Sequence, residues 1–194
     1  MLSVHYFQKS LLFYTPSSQK QPSNPIVHLL KQSLSQALAH FFPLAGHLKT
    51  HHPSSSPSSS YLFVFMDYND IGVEFIHAAA DVTVSDILDP IYVPQIVKSF
   101  FIFYGAVNYN GHSIPLLALQ VTELADGIFI GFSFNNAVGD VTSFTHFLNL
   151  WSERSQEEEE KEMIVSQLPR LHNDGFTLSI LLLSVFHSLK LLNL

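Results

Sequence analysis

Two apolar runs, "LLALQVTEL" (116–124) and "GIFIGFSF" (127–134), face each other across Asp126-Gly127. Asp-Gly between such runs predicts a tight hairpin, because both residues tolerate the positive φ that two-residue hairpin turns require. This pair makes two antiparallel strands neighbours, and nothing else in the chain constrains the fold as much. In the second run Ile128, Ile130, Phe132 and Phe134 fall on one face of the strand. Phe129, Gly131, Ser133 and Asn135 fall on the other.

Helical patterns flank the hairpin in sequence. Asn24-Pro25 is a good helix start, with a capping side chain followed by proline at the first helical position. Ile26, Leu29, Leu30, Leu34, Ala37, Leu38 and Phe41 then form one apolar stripe to about His40, and Pro43 ends it. A second helix is expected over about 142–153, with Phe144, Phe147, Leu148 and Trp151 on one face. "YLFVFM" and "GVEFIHA" read as strands, "PLAGHL" as a turn into a strand, and "VTVSDILD" as a short helical turn before Pro90. At the N-terminus the alternation of Leu2, Val4 and Tyr6 predicts another strand, and "HHPSSSPSSS" reads as a low-complexity loop. The pattern is that of an α/β chain with a mixed sheet and flanking helices, with hairpin-paired strands rather than an alternating parallel array.

Composition narrows the function. Only 13% of the 194 residues are charged, about half the usual ~25%, and seventeen are Phe. Such a chain is expected to carry apolar surface that meets a protein partner. The net charge of −7 and the lack of any Lys/Arg patch argue against nucleic acid. Much of the acidity lies in Glu153, Glu157 to Glu160 and Glu162, a run that reads as a solvated helix end. The absence of cysteine excludes disulfides, thiol catalysis and Cys-ligated zinc. The first residues lack the features of a secretory signal, so a cytoplasmic protein is expected.

The segment 166–194 differs in character from residues 1–165 and is read as a divergent apolar tail. Its last 19 residues, 176–194, approach the ~20 needed to span a bilayer, but His187, Lys190 and Asn193 interrupt them, so no membrane anchor is expected. His47, His51 and His52 lack an acidic ligand at a helix-registered spacing, so no metal site is expected. "GFSFN" imitates a nucleophile elbow without its second glycine, and Ser133 lies within the strand rather than at a strained turn. No phosphate-cradling glycine motif and no covalently bound cofactor are expected.

One stretch remains, "GFSFNNAVGDVTSF" (131–144), in which an apolar strand runs into a polar corner and then a helix. Such corners expose reactive groups, because helix-start amides and strand-end side chains converge there. "NNAVGDVTSFTHFLNLWSE" resembles the active-site segment of the BAHD acyltransferases, whose pattern is His-x-x-x-Asp-Gly. Asn135, Ala137, Val138, Gly139, Asp140, Thr142, Ser143, Phe144 and Trp151 fit it. "LSVHYFQKSLLF", "LSQALAHFFPLAGHL", with His47 where Arg is common, and the hairpin itself resemble further family segments in the same order.

The resemblance implies the N-terminal half of a chloramphenicol acetyltransferase-like fold, and transfer of an acyl group from acyl-CoA to an alcohol or amine acceptor. In the family the motif histidine is the general base and the aspartate shapes the loop. Here these positions fall on Asn136 and Asp140. A neutral carboxamide has no useful proton affinity near pH 7. Val141 stands where the family has Gly, a poor substitute if that position requires positive φ. The family's second half, with much of its CoA site, has no counterpart in these residues. The expectation is therefore a truncated, catalytically inactive product of this family. The alternative is a non-catalytic interaction protein that uses the exposed inter-domain face. Asp140 is expected at the same corner as Asn136 but turned away from it, capping the helix, with Arg154 and Arg170 as the nearby cations.

Overall fold

The computed structural model describes residues 2–14, 24–51, 62–68 and 72–156, together with short strands at 166–167, 171–173, 176–178 and 181–182. Its centre is β6 (Gly127–Phe134), every residue of which is buried. On one side β6 pairs antiparallel with β5 (Leu117–Glu123), as the Asp-Gly turn predicts, with Gln120 opposite Gly131. On the other it pairs antiparallel with β1 (Phe7–Tyr14), in a register that sets Leu11 opposite Ile130. β4 (Glu74–Ala79) adds parallel to β5, so the sheet is mixed. A three-residue strand, Phe176–Leu178, pairs parallel with β1. Separately, β2 (His47–His51) and β3 (Phe63–Asp67) form a two-stranded antiparallel sheet.

Both faces of β6 are covered, and the alternation sorts the core into two layers. Ile128, Ile130, Phe132 and Phe134 meet α1 (Asn24–His40) and α3 (Val141–Gln156). Phe129 packs instead with Leu12, Val97, Phe100, Phe101 and the short α2 (Val84–Leu88). In the first layer Phe144 is fully buried and lies within 5.8 Å, centroid to centroid, of Phe7, Phe132 and Phe134. Burying a side chain of this size stabilises by about 1.5–3 kcal/mol. It also ties the start of α3 to the ends of β1 and β6. Trp151, two turns further along α3, donates its Nε1–H to Ser33 Oγ at 2.9 Å, so its one polar atom is satisfied inside the layer.

The second layer has a polar roof. Gln120 donates to the Ser99 carbonyl at 3.1 Å, and Ser133 Oγ–H donates to the Ile102 carbonyl. A Cβ on Gly131 would collide with the backbone of Phe100, so only glycine allows the 95–102 segment to lie this close to the sheet. Asp126 also reaches across, accepting from Val84 N–H at 2.7 Å at the start of α2.

Three sequence expectations need correction. The strand expected from Leu2, Val4 and Tyr6 begins only at Phe7. Phe7 is opposite Phe134, the last residue of β6, so residues before it have no rung to join. They bond instead to another segment: Tyr6 N–H to the Ala106 carbonyl at 2.8 Å, and Asn108 N–H to the Val4 carbonyl at 2.7 Å. On α1, Val27 is buried in the core, whereas Leu29 is only half-buried. The tip of the β5–β6 hairpin is Ala125-Asp126 rather than Asp126-Gly127: Leu124 N–H bonds to the Gly127 carbonyl at 2.8 Å, and Gly127 lies within β6 without a positive φ. The sheet is mixed as expected, with the parallel β4–β5 connection running through α2 and two 3₁₀ turns at Gln95–Phe100 and Asn108–His112. The 51–60 loop beyond His51, most of the acidic run and most of the tail lie outside the described residues. Among the described residues no helix is long and apolar enough to cross a membrane.

Candidate active-site corner

β6 leaves the sheet at Phe134, and the chain makes one more backbone bond to it, from Asn135 N–H to the Leu116 carbonyl at 2.8 Å. Asn135 is completely buried. Its Oδ1 accepts from Ala137 N–H at 2.9 Å, forming a turn closed by its own side chain, and its Nδ2–H donates to the Asn108 carbonyl at 2.9 Å. Asn108, also fully buried, returns the interaction: its Oδ1 accepts from Asn136 N–H at 3.0 Å. Two carboxamides thus cross between the corner and the 108–112 turn. Gly111 has no space for a Cβ, because Asn135 Nδ2 lies 2.5 Å from where one would be.

Asn136 is partly exposed, and its Nδ2–H donates to the His5 carbonyl at 2.9 Å. Tyr6, the next residue, is buried and donates its hydroxyl to the Pro115 carbonyl at 3.1 Å. Burial pushes its phenol up to about 12, against a smaller downward pull from the Asn135 carboxamide.

Asp140 stands at the N-terminus of α3. Its Oδ1 accepts from Ser143 N–H and from Ser143 Oγ–H, both at 2.8 Å, and its carbonyl accepts from Phe144 N–H at 3.0 Å. These bonds, the Ser143 N–H first, hold its carboxyl below the usual carboxylate range. In this cap Asp140 accepts and Ser143 donates. Arg170, one of the two cations considered for Asp140, lies outside the described residues. Val141 opens α3 with no positive φ; among the described residues the only non-glycine with one is Phe103. The β-branched side chain therefore meets no backbone strain there.

The structure brings Asn136 and Asp140 to one corner with different partners. Asn108 was not legible as part of it, since it lies 28 residues upstream in a segment with no periodicity. Ser133 is fully buried within β6. Among the described residues no group of three or more His, Cys, Asp or Glu could hold a metal, and His52 lies outside them.

The structure is similar to that of vinorine synthase, with a TM-score of 0.63 and 25% identity, covering 82% of this chain and 36% of that one. It also shares its fold with F. graminearum TRI101 complexed with coenzyme A and deoxynivalenol, with a TM-score of 0.57 and 17% identity over 83% of this chain and 37% of that one. The fold resembles the N-terminal half of the chloramphenicol acetyltransferase-like architecture. At the sequence level, the model of the Transferase family matches residues 1–172. The chain is 36% identical to an uncharacterized acetyltransferase of Arabidopsis thaliana over 182 residues, 93% of this chain and 40% of the relative. It is 38% identical to the BAHD acyltransferase DCR of Arabidopsis thaliana over 160 residues, 78% of this chain and 32% of the relative. The chain belongs to the BAHD family of acyltransferases. It spans well under half the length of these relatives.

Proposed function

We propose that this chain carries the His-x-x-x-Asp-type corner of an acyl-CoA-dependent acyltransferase with its general base replaced by Asn136, and that these 194 residues alone do not catalyse acyl transfer. The reaction of the family type would move an acyl group from acyl-CoA to an alcohol or amine, in plants a secondary metabolite. Asp140 holds the loop through Ser143 and takes no part in proton transfer. The observation that carries this reading is the state of the Asn136 side chain. It is a neutral carboxamide with its N–H committed to the His5 carbonyl, and so offers no site that could take a proton from an acceptor near pH 7. General-base catalysis is worth ~10²–10⁴-fold, so loss of the base alone would slow an enzyme without abolishing its activity. The second deficit is the donor site, for which the resemblance looks beyond the third or so of the relatives' length that this chain spans. The bound coenzyme A named for TRI101 supports acyl-CoA as the co-substrate of this fold. The same reading makes the chain a cytoplasmic pseudoenzyme.

The test is thiol release from a panel of acyl-CoA thioesters with alcohol and amine acceptors, using the purified chain and Asn136→His. Both are expected at the uncatalysed rate. Turnover by the unmodified chain overturns the reading; turnover by Asn136→His alone leaves the base as the sole defect.

A second reading is favoured by a specific surface. Leu62, Phe63 and Phe65 on or beside β3 are 61%, 58% and 46% exposed, and Tyr68, just after β3, meets Phe42 edge-to-face at 5.2 Å with both more than half exposed. An apolar patch of this kind suits an interaction protein that meets another chain through it. Light scattering behind size-exclusion chromatography tests this: a complex of defined stoichiometry supports the reading, whereas monomer or polydisperse aggregate refutes it.

A further inference from the structure

We propose that Asn108 and the His5 carbonyl form a built seat for residue 136, making Asn108 a positioning residue of the corner. The inference rests on the reading of 136 as the reacting position, and it concerns how that position is held. Two bonds reach residue 136 from different parts of the chain. Asn108 Oδ1 takes its backbone N–H at 3.0 Å, and the His5 carbonyl takes its side-chain N–H at 2.9 Å. The first fixes where the residue stands and the second fixes how its side chain turns.

Each half of the seat is itself anchored. Asn108 is fully buried, its N–H is bonded to the Val4 carbonyl and its own carbonyl to Asn135 Nδ2. His5 is bridged to Val107, between Tyr6 bonded to Ala106 and Val4 bonded to Asn108. The segment 2–6 and the segment 106–109 are therefore one unit, and residue 136 docks on both. Buried carboxamides with every partner in place are costly to rearrange, so the seat is rigid.

The seat has a consequence for chemistry. In histidine, Nδ1 is attached to Cγ as Nδ2 is in asparagine. An imidazole placed at 136 in the same rotamer would donate Nδ1–H to the His5 carbonyl. That bond fixes one tautomer and leaves the Nε2 lone pair facing outward, the form required of a general base. The seat is thus suited to orient a base even though the chain presents an asparagine on it.

The experiment is nitrogen-resolved NMR on the 194-residue chain carrying Asn136→His, with and without Asn108→Ala. Alanine at 108 retains the backbone bonds to Val4 and Asn135 and removes the carboxamide whose oxygen accepts from residue 136. The imidazole is expected as the Nδ1–H tautomer in the single variant and as a tautomer mixture in the double variant. In the otherwise unaltered chain, Asn108→Ala should speed exchange of the Asn136 amide hydrogen about tenfold or more. A general loss of stability would not by itself select a tautomer, so this readout separates positioning from folding. An Nε2–H tautomer or a mixture in Asn136→His overturns the proposal, as does an Asn136 amide insensitive to Asn108→Ala. If Asn108→Ala fails to fold, the tautomer of Asn136→His alone still decides. Neither measurement depends on turnover, so failure of the seat is distinguishable from failure of the acyltransferase reading.

Discussion

The adjacent asparagines at the corner should respond very differently to substitution. Asn135→Leu preserves side-chain size but strips the side-chain bonds to Asn108 and Ala137, leaving the Asn108 carbonyl and Ala137 N–H without their partner. A buried polar group left unpaired costs about 1–3 kcal/mol, so two give about 2–6 kcal/mol. The new methyl groups also point at Gly111, whose approach to Asn135 leaves no slack. Asn136→Ala removes one bond at a partly exposed site, worth about 0.5–1.5 kcal/mol. In a chain of this size about 1 kcal/mol moves the melting midpoint by roughly 2–4 °C. Thermal unfolding followed by circular dichroism should therefore lower the midpoint by roughly 4–24 °C for Asn135→Leu and by no more than about 6 °C for Asn136→Ala. Equal shifts, or a larger one for Asn136→Ala, would refute the buried-lock account of Asn135.

Three further outcomes follow from the same contacts. Asp140 has a depressed folded pKa, so its capping contribution is complete above the unfolded value, near 3.8, and is lost as pH falls through the lower folded value. Asp140→Asn, which keeps a capping oxygen without the charge, should flatten that acid limb of the stability profile, whereas Asp140→Ala should lower stability at neutral pH too. Tyr6, raised from 10.0 to about 12, binds its proton more tightly folded than unfolded, so its contribution is intact below pH 10 and lost as pH rises toward 12. Ultraviolet titration should show one phenol ionising late, and Tyr6→Phe should remove that step. Gly131→Ala should cost about 1–3 kcal/mol or more by driving a methyl group into the Phe100 backbone, measurable by urea unfolding.

The parts of the fold visible in the sequence are those in which local chemistry and burial agree. Asp126-Gly127 signalled the β5–β6 pairing, although the tip itself is Ala125-Asp126, and the alternation along β6 sorted its side chains into the two layers observed. Phe144, Phe147, Leu148 and Trp151 marked the buried face of α3, and all four are buried. What the sequence hid depends on contacts with no local periodicity. The start of β1 is set by where β6 ends, a fact located 127 residues away. Val27, three residues before Leu30 and seven before Leu34, continues the buried stripe of α1, whereas Leu29 lies on nearly the opposite side of the helix, so a stripe drawn through Leu29 misreads the spacing. At the corner, the motif spacing pointed to Asn136 and Asp140 because they share one short stretch. Asn108 gave no such sign, as a polar residue in a loop reads as solvated until its burial is known.

The pairing of β1 with β6 also has a consequence in time. Phe7 and Phe134 are opposite each other, so the first strand cannot find its antiparallel neighbour until 127 further residues have been made. At a synthesis rate of about 5–20 residues per second, that wait lasts roughly 6–25 s. Throughout it, the Leu11-Leu12-Phe13-Tyr14 edge emerges before the chain that will bury it. Partners that far apart also make folding slow once the chain is complete, since the loop must close before the contacts reward it. The Leu11–Tyr14 strand is therefore an exposed apolar edge, open to misassembly, for as long as the rest of the sheet is still being translated.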